Sequence, residues 1–171
     1  MWSADKINDW YESQQWLVGC NYLPSTAINQ LEMFQEESFD FETNKREIGW
    51  ASDIGFNSLR IYLHDLLWQD KKSFKNQLNK TLTLCKNFNL KPILVLLDDC
   101  HRPFPKLGKQ PLPVKGVHNS GWKQSPGHKI VKEIAEGNTD EEARLKIFIQ
   151  EVLDDFRDDE TILLWDLYNE P

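Results

Sequence analysis

The sequence has few cysteines and no long apolar run. Its three cysteines, Cys20, Cys85 and Cys100, are an odd set without a Cys-x-x-Cys pair, which predicts reduced thiols rather than a disulfide framework. No stretch is long enough to span a membrane, and the start of the chain lacks a basic segment followed by an apolar one. The location therefore stays open between the cytoplasm and a secreted or periplasmic form whose signal was removed.

The sequence also lacks a basic excess. Its net charge of −7 argues against a general binder of nucleic acid or of an anionic membrane, because such proteins show a basic face. There is no phosphate-binding loop and no Ser-His-Asp arrangement, and Gly19, Gly49 and Gly55 do not have dinucleotide-binding spacing. We therefore expect no cofactor. The seven tryptophans offer flat faces on which a sugar or another ring could stack.

The length of 171 residues fits one domain with a sizeable core, which we assign to 1–171. It is too short for a complete eight-stranded β/α barrel, which needs about 250 residues. Within this length, apolar runs and helical spacings alternate, which predicts a parallel sheet with helical crossovers. The predicted strands are 16–22, 58–63, 92–97 and 161–167, and the predicted helices are 43–54, 72–88 and one that begins at a capping box over 139–142.

A long loop is predicted over 98–138, which contains five of the eight prolines. It follows a buried strand at the end where α/β folds place their sites. Its first four residues, Asp98 to His101, resemble a metal cluster. Adjacent strand residues point in opposite directions, so the four side chains are not expected all to converge on one ion, and we predict no metal. We expect one of the two aspartates, Asp99, to line a pocket and the other to be structural.

The last eight residues form the most informative segment. A hydrophobic strand ends in Asn169-Glu170-Pro171, which places a carboxylate at the mouth of the sheet. If Glu170 is partly buried among aromatic residues, it is able to act as a general acid, and Asn169 can donate to a substrate hydroxyl. The alternative is that these three residues only end the strand with a turn.

Six segments in a fixed order connect this chain to a known family. They are WLVGCNY (16–22), AINQLEM (27–33), IGFNSLRIYLH (54–64), LDDC (97–100), HNSGW (118–122) and WDLYNEP (165–171). In this order they resemble the clan A glycoside hydrolases, the β/α-barrel group that includes family-five cellulases and mannanases. Within that group the chain resembles bacterial cellulase-family or xylanase-like proteins. The resemblance implies the N-terminal half of a (β/α)8 TIM barrel, with strands one to four.

The resemblance also implies roles for individual residues. Glu170 matches the acid/base of a retaining glycoside hydrolase that acts on β-linked poly- or oligosaccharides. Asn169 matches the residue that binds the hydroxyl next to the reacting carbon. Arg60 matches a buried arginine that supports the catalytic carboxylates, a role compatible with a simple buried ion pair.

Further substrate contacts are expected at the carboxyl ends of the strands. His64 and Asp65 directly follow strand two, while Asn29, Gln30 and Glu32 lie in the loop after strand one. The alternatives are a plain turn and a solvated loop. An aromatic side chain in the long loop is expected to stack on a sugar, with an anchor for the loop as the alternative. The expected substrate-binding residues are Asn169, Arg60, His64, Asp65, Asn29, Gln30, Glu32, Asp99 and Trp122.

One part of the family pattern is missing from these 171 residues. A retaining enzyme needs two carboxylates about 5 Å apart, and the resemblance places the nucleophile on strand seven. We therefore expect a truncated N-terminal portion of such an enzyme. The alternatives are a non-catalytic half-barrel, which binds carbohydrate or completes a barrel with a second chain, and an unrelated α/β protein. Unpaired outer strands predict self-association.

Overall fold

A computed structural model describes residues 2–171 as an α/β fold with one parallel sheet. The four strands lie in the order β1-β2-β3-β4, and every neighbouring pair is parallel. The predicted fold class is confirmed at this level, as a four-stranded parallel sheet flanked by helices. The strands are β1 (Gly19–Asn21), β2 (Ser58–Tyr62), β3 (Lys91–Asp98) and β4 (Leu164–Asn169).

Helices flank the sheet, and all except the first, which precedes β1, lie between consecutive strands along the chain. They are α1 (Ala4–Glu12), α2 (Gln30–Phe34), α3 (Phe41–Asp53), α4 (Lys71–Asn87), α5 (His128–Ala135) and α6 (Thr139–Phe156), with a 3-10 helix over Asp65–Asp70. None of the helices in residues 2–171 combines the length and the apolar character that crossing a membrane requires.

Three helices were not expected from the sequence. Helix α1 buries none of its residues. The short helix α2 begins where the Asn29 side chain accepts hydrogen bonds from the N–H groups of Leu31 and Glu32. Helix α5 lies inside the predicted loop. The segment without helix or strand is therefore shorter than predicted and covers residues 99–127. The expected capping box is wrong, because Asn138 caps α6 by accepting from Asp140 and Glu141.

The outer strands differ most from the prediction. β1 has three exposed residues, and Gly19 lies so close to β2 that an added Cβ would stand 2.0 Å from the Ser58 carbonyl oxygen. β4 starts three residues later than predicted and continues to Asn169. Within the described chain each of these two strands pairs on one side only. Leu164 and Leu167 on β4 are exposed, so self-association through this side stays a prediction.

The core lies between the central strands and the helices. Leu59 and Ile61 from β2 and Leu94 from β3 are fully buried against it. Phe74 from α4 and Phe148 from α6 fill the space on the helical side. The central strands are therefore tightly packed, and this packing fixes the positions of the residues at their carboxyl ends.

Candidate functional site

Five side chains meet at the carboxyl end of β2, β3 and β4 and form what we call the strand-end network. Arg60 donates to Asp166, with Nε 3.2 Å from Oδ2, and to Asn169 Oδ1 at 2.9 Å. The Asn169 Nδ2 group donates to Asp98 Oδ1 at 2.8 Å. The second Asp98 oxygen accepts from His101 Nδ1 at 2.6 Å. The network thus links all three strands through polar side chains.

The register of the sheet brings these residues together. Asp98 and Asn169 are direct partners in the pairing of β3 with β4. Arg60 aligns with Ile93, which in turn aligns with Leu164, so Asp166 lies on the same face two residues further along. The interaction of Arg60 with Asp166 is consequently a property of strand order and register.

Charge in the network is balanced by pairing. About a quarter of each side chain is exposed in the Arg60–Asp166 ion pair. Desolvation opposes the guanidinium charge, but the hydrogen bond and charge of Asp166 outweigh it and raise the pKa of Arg60. The expected ion pair of Arg60 is therefore present but only partly buried, with Asp166 as a partner that the sequence did not indicate.

Aromatic rings enclose one side of the network. The His101 ring stacks on Trp122 with centroids 5.1 Å apart and an angle of 26° between the planes. Tyr62 packs edge-on against both rings, at 5.8 Å from His101 and 5.1 Å from Trp122. Trp122 thereby anchors the 99–127 loop to the end of the sheet, and its stacking on a sugar stays a prediction.

Glu170 follows the network directly and is exposed. Its φ of +48° lies in the left-handed region, so the backbone turns at this residue. The expected partial burial among aromatic side chains is not found. Burial, followed by the negative charges of Asp98 and Glu170, raises the pKa of the Cys100 thiol.

His64 and Asp65 were expected to line a pocket but are buried. Asp65 accepts from Ser125 Oγ at 2.9 Å and from Arg144 Nη1 at 2.8 Å. Burial alone would raise the pKa of Asp65, yet the contacts with His64 and Arg144 hold that pKa at about 2. His64 Nδ1 accepts from the N–H of Leu66, and its buried Nε2 has no partner among the described residues. Asp65 therefore links the loop and α6 to the 3-10 helix, whereas His64 caps the start of that helix.

Asn29, Gln30 and Glu32 were expected to face a sugar, and the structure instead places them against the 99–127 loop. The Asn29 side chain donates to the Gly121 carbonyl at 2.8 Å and to Gln110 Oε1 at 3.0 Å. Glu32 Oε1 accepts from the Gln110 N–H at 2.8 Å. The Gln30 side chain donates to a carbonyl in the same loop, that of residue 123. These three residues clamp the loop to the start of α2.

The two aspartates at the end of β3 have different surroundings. Asp98 is buried and belongs to the strand-end network, whereas Asp99 is half-buried and uses its backbone, which bonds to Asn169 and Gln124. Sequence reasoning chose Asp99 as the pocket residue. Asp98 is identified by its pairing with Asn169 across β3 and β4, and that pairing is known only once the register of the two strands is known.

The four residues from Asp98 to His101 do not follow the alternation assumed from the sequence. One donor atom each from Asp98, Cys100 and His101 lies within 4.8 Å of the others. The strand ends at Asp98 and the backbone bends at Cys100, so strand geometry no longer applies there. Three of the four side chains thus come together, and Asp99 is not among them.

The clamp made by Asn29 leads to a testable expectation. Asn29→Ala removes two buried hydrogen bonds to the loop and the cap of α2, so we expect a loss of about 1–3 kcal/mol of stability and faster tryptic cleavage after Lys106, Lys109 or Lys115. Gln35→Ala is the matched control, because Gln35 holds Gly108 of the same loop through exposed hydrogen bonds. Equal cleavage rates in both variants would contradict the clamp.

Two surface cavities of about 590 and 1010 Å³ lie away from the strand-end network. The first borders α2 and the start of α4, and the second lies near the amino ends of the strands. Neither includes Glu170 in its lining. No family model matches the chain, and no curated protein matches it. The function is therefore argued from the network and the residues next to it.

Proposed function

We propose that this chain carries the acid/base side of a retaining glycoside hydrolase site, with Glu170 as the acid/base. The four β-α steps would then be the first half of a (β/α)8 barrel. The sequential order of parallel strands supports this proposal, because a barrel of this type adds each new strand beside the previous one. The six sequence segments that resemble clan A enzymes support it independently.

The observation that carries the proposal is the fixed position of Asn169 directly before Glu170. Arg60 and Asp98 hold the Asn169 amide from two neighbouring strands, so its orientation does not need to be set by a substrate. Glu170 follows at the mouth of the sheet and is open to solvent. An oriented amide beside an accessible carboxyl group suits a sugar hydroxyl and the adjacent glycosidic oxygen.

The chemistry assigned to Glu170 has two steps. The carboxylic acid first donates its proton to the glycosidic oxygen while a nucleophilic carboxylate attacks the sugar carbon. The Glu170 carboxylate then takes a proton from the water that hydrolyses the glycosyl intermediate. The resemblance assigns the nucleophile to strand seven, outside the four strands described for this chain. The substrate class proposed is a β-linked oligo- or polysaccharide.

A non-catalytic role is the second candidate, and a specific observation favours it. β1 and β4 each have one unpaired side in the described residues, and apolar side chains of β4 are exposed there. A half-barrel with such edges is able to pair with a second set of strands. In that case the residues at the strand ends would bind carbohydrate or complete a site without acting alone.

An external nucleophile tests the role of Glu170 in this chain. With a phenyl β-glycoside and sodium azide, azide forms the bond to the sugar carbon, the carbon–oxygen bond to phenol breaks, and Glu170 supplies the proton to the leaving oxygen. We expect azide-dependent release of phenol from the wild-type chain. Glu170→Gln should lower that rate about 100-fold, the lower range for loss of a general acid.

Glu160→Gln is the control, because Glu160 is also exposed but lies before β4. It should leave the azide-dependent rate unchanged. Equal release from the wild-type and Glu170→Gln chains would contradict the catalytic assignment. Calorimetric binding of a β-linked oligosaccharide without any azide-dependent release would favour the binding half-barrel instead.

A further inference from the structure

The turn after β3 places three different metal-binding groups in a small space. Asp98 offers a carboxylate oxygen, Cys100 a thiolate sulfur and His101 a ring nitrogen, with these atoms within 4.8 Å of one another. Zn²⁺ and Co²⁺ accept this mixture of ligands, whereas Mg²⁺ and Ca²⁺ prefer oxygen alone. We propose that Asp98, Cys100 and His101 bind a divalent transition-metal ion of the zinc type.

The backbone of this turn is held on both sides. Asp98 exchanges two backbone hydrogen bonds of 2.8 Å with Ser125. Arg102 donates to the Trp122 carbonyl at 3.2 Å and accepts from Gln124 at 3.0 Å. The segment that carries the three ligands is thus fixed at its start and directly after its end, so binding does not have to gather the ligands from a flexible loop.

Neighbouring side chains orient two of the three ligands. The Asn169 amide donates to Asp98 Oδ1. The contact of 2.6 Å between Asp98 Oδ2 and His101 Nδ1 joins two of the ligands themselves, and a bound ion would replace it. The stack on Trp122 fixes the plane of the His101 ring. Contacts of this kind around metal ligands set ring orientation and typically change metal affinity by about 10- to 100-fold when removed.

Distance and charge both fit such an ion. Ligand atoms around a tetrahedral zinc ion lie about 3.5 Å apart, so the three donor atoms, which already lie within 4.8 Å of one another, need only small side-chain rotations. Binding of the ion would release the Cys100 thiol proton to water, and the Asp98 carboxylate and the Cys100 thiolate would then together balance the two positive charges. Three protein ligands leave a fourth position for water, as in catalytic zinc sites. This inference needs no sugar and is independent of the proposed glycosidase.

Cobalt titration of the reduced chain tests the site directly, because a cobalt–thiolate bond gives a charge-transfer absorption band in the near ultraviolet. We expect one Co²⁺ per chain with this band, displacement of the cobalt by Zn²⁺, and no displacement by Mg²⁺. Cys100→Ser should remove the band and weaken Zn²⁺ binding in calorimetry by at least about tenfold, and Asp98→Asn should also weaken it.

Cys20→Ser is the matched control, because Cys20 is the other exposed cysteine and lies outside the cluster. It should keep the band and the affinity. Thermal melts serve as a second measurement: Zn²⁺ should raise the melting temperature of the wild-type and Cys20→Ser chains and leave that of Cys100→Ser unchanged. A wild-type chain without the band, or a band that persists in Cys100→Ser, would overturn the proposal.

Discussion

Asp65→Asn is expected to lower the free energy of unfolding by about 3 kcal/mol. Asp65 is fully buried, and its carboxylate is the shared partner of Ser125 on the 99–127 loop and of Arg144 on α6. The asparagine side chain has the same size, but it carries no negative charge and has only one acceptor oxygen. It therefore cannot replace both interactions. The change therefore loosens the attachment of the loop and of α6 at once, and a urea titration followed by circular dichroism measures the loss.

Asp155→Asn provides the comparison, because Asp155 pairs with Lys75 at the surface with about a third of each side chain exposed. Surface pairs contribute at most about 1 kcal/mol, since water and salt screen them. A loss at Asp65 no larger than the loss at Asp155 would show that burial adds nothing to the interactions of this carboxylate. A loss several times larger supports its role as an anchor.

The same carboxylate makes stability depend on pH in acid. The pKa of Asp65 is about 2 in the folded chain, against 3.8 for an unperturbed aspartate, so the unfolded chain takes up the proton first as pH falls. The stabilisation is complete above the unfolded pKa and disappears as pH falls through the folded pKa, and it amounts to about 2.5 kcal/mol. Asp65→Asn should remove this share of the change between pH 5 and pH 2.

The central part of the fold could be predicted from local pattern. β2 and β3 begin and end within one residue of their predicted bounds, because buried strands read as short apolar runs between polar residues. β1 could not be placed well, since its pairing depends on the missing side chain of Gly19 against Ser58 rather than on an apolar pattern. Helix α5 carries an apolar stripe, but the glycines and prolines around it suggested a loop.

The candidate site was also predictable from the sequence only in part. Arg60 and Asn169 could be expected at the same edge of the sheet, because both were predicted near the carboxyl ends of parallel strands, although β3 separates β2 from β4. The contacts of Asn29 with residues 110 and 121 could not be predicted, because they join parts of the chain separated by 81 and 92 positions. Local pattern identifies which side chains are polar at the strand ends. It does not show whether these side chains will bind a loop of the same chain instead of a ligand.

Phe74→Ala is expected to cost about 4 kcal/mol of stability, the largest loss predicted for this chain. Phe74 is almost completely buried and packs edge-on against Phe34 of α2 at 5.5 Å and Trp68 of the 3-10 helix at 5.9 Å. Trp68 also packs against Phe148 of α6 at 5.8 Å. Alanine would leave a cavity among these rings, and well-packed neighbours relax only partly to fill it.

The effect of this cavity should reach the strand ends. Helix α2 carries Gln30 and Glu32, so losing the packing of Phe34 is expected to loosen their clamp on the 99–127 loop as well. Urea unfolding measures the stability, and trypsin sensitivity of the loop measures the clamp. Phe74→Leu should lose less, and Phe104→Ala should lose below about 0.5 kcal/mol because Phe104 is 69% exposed. A Phe74→Ala chain that is destabilised but keeps wild-type resistance of the loop to trypsin would contradict this link between core packing and the clamp.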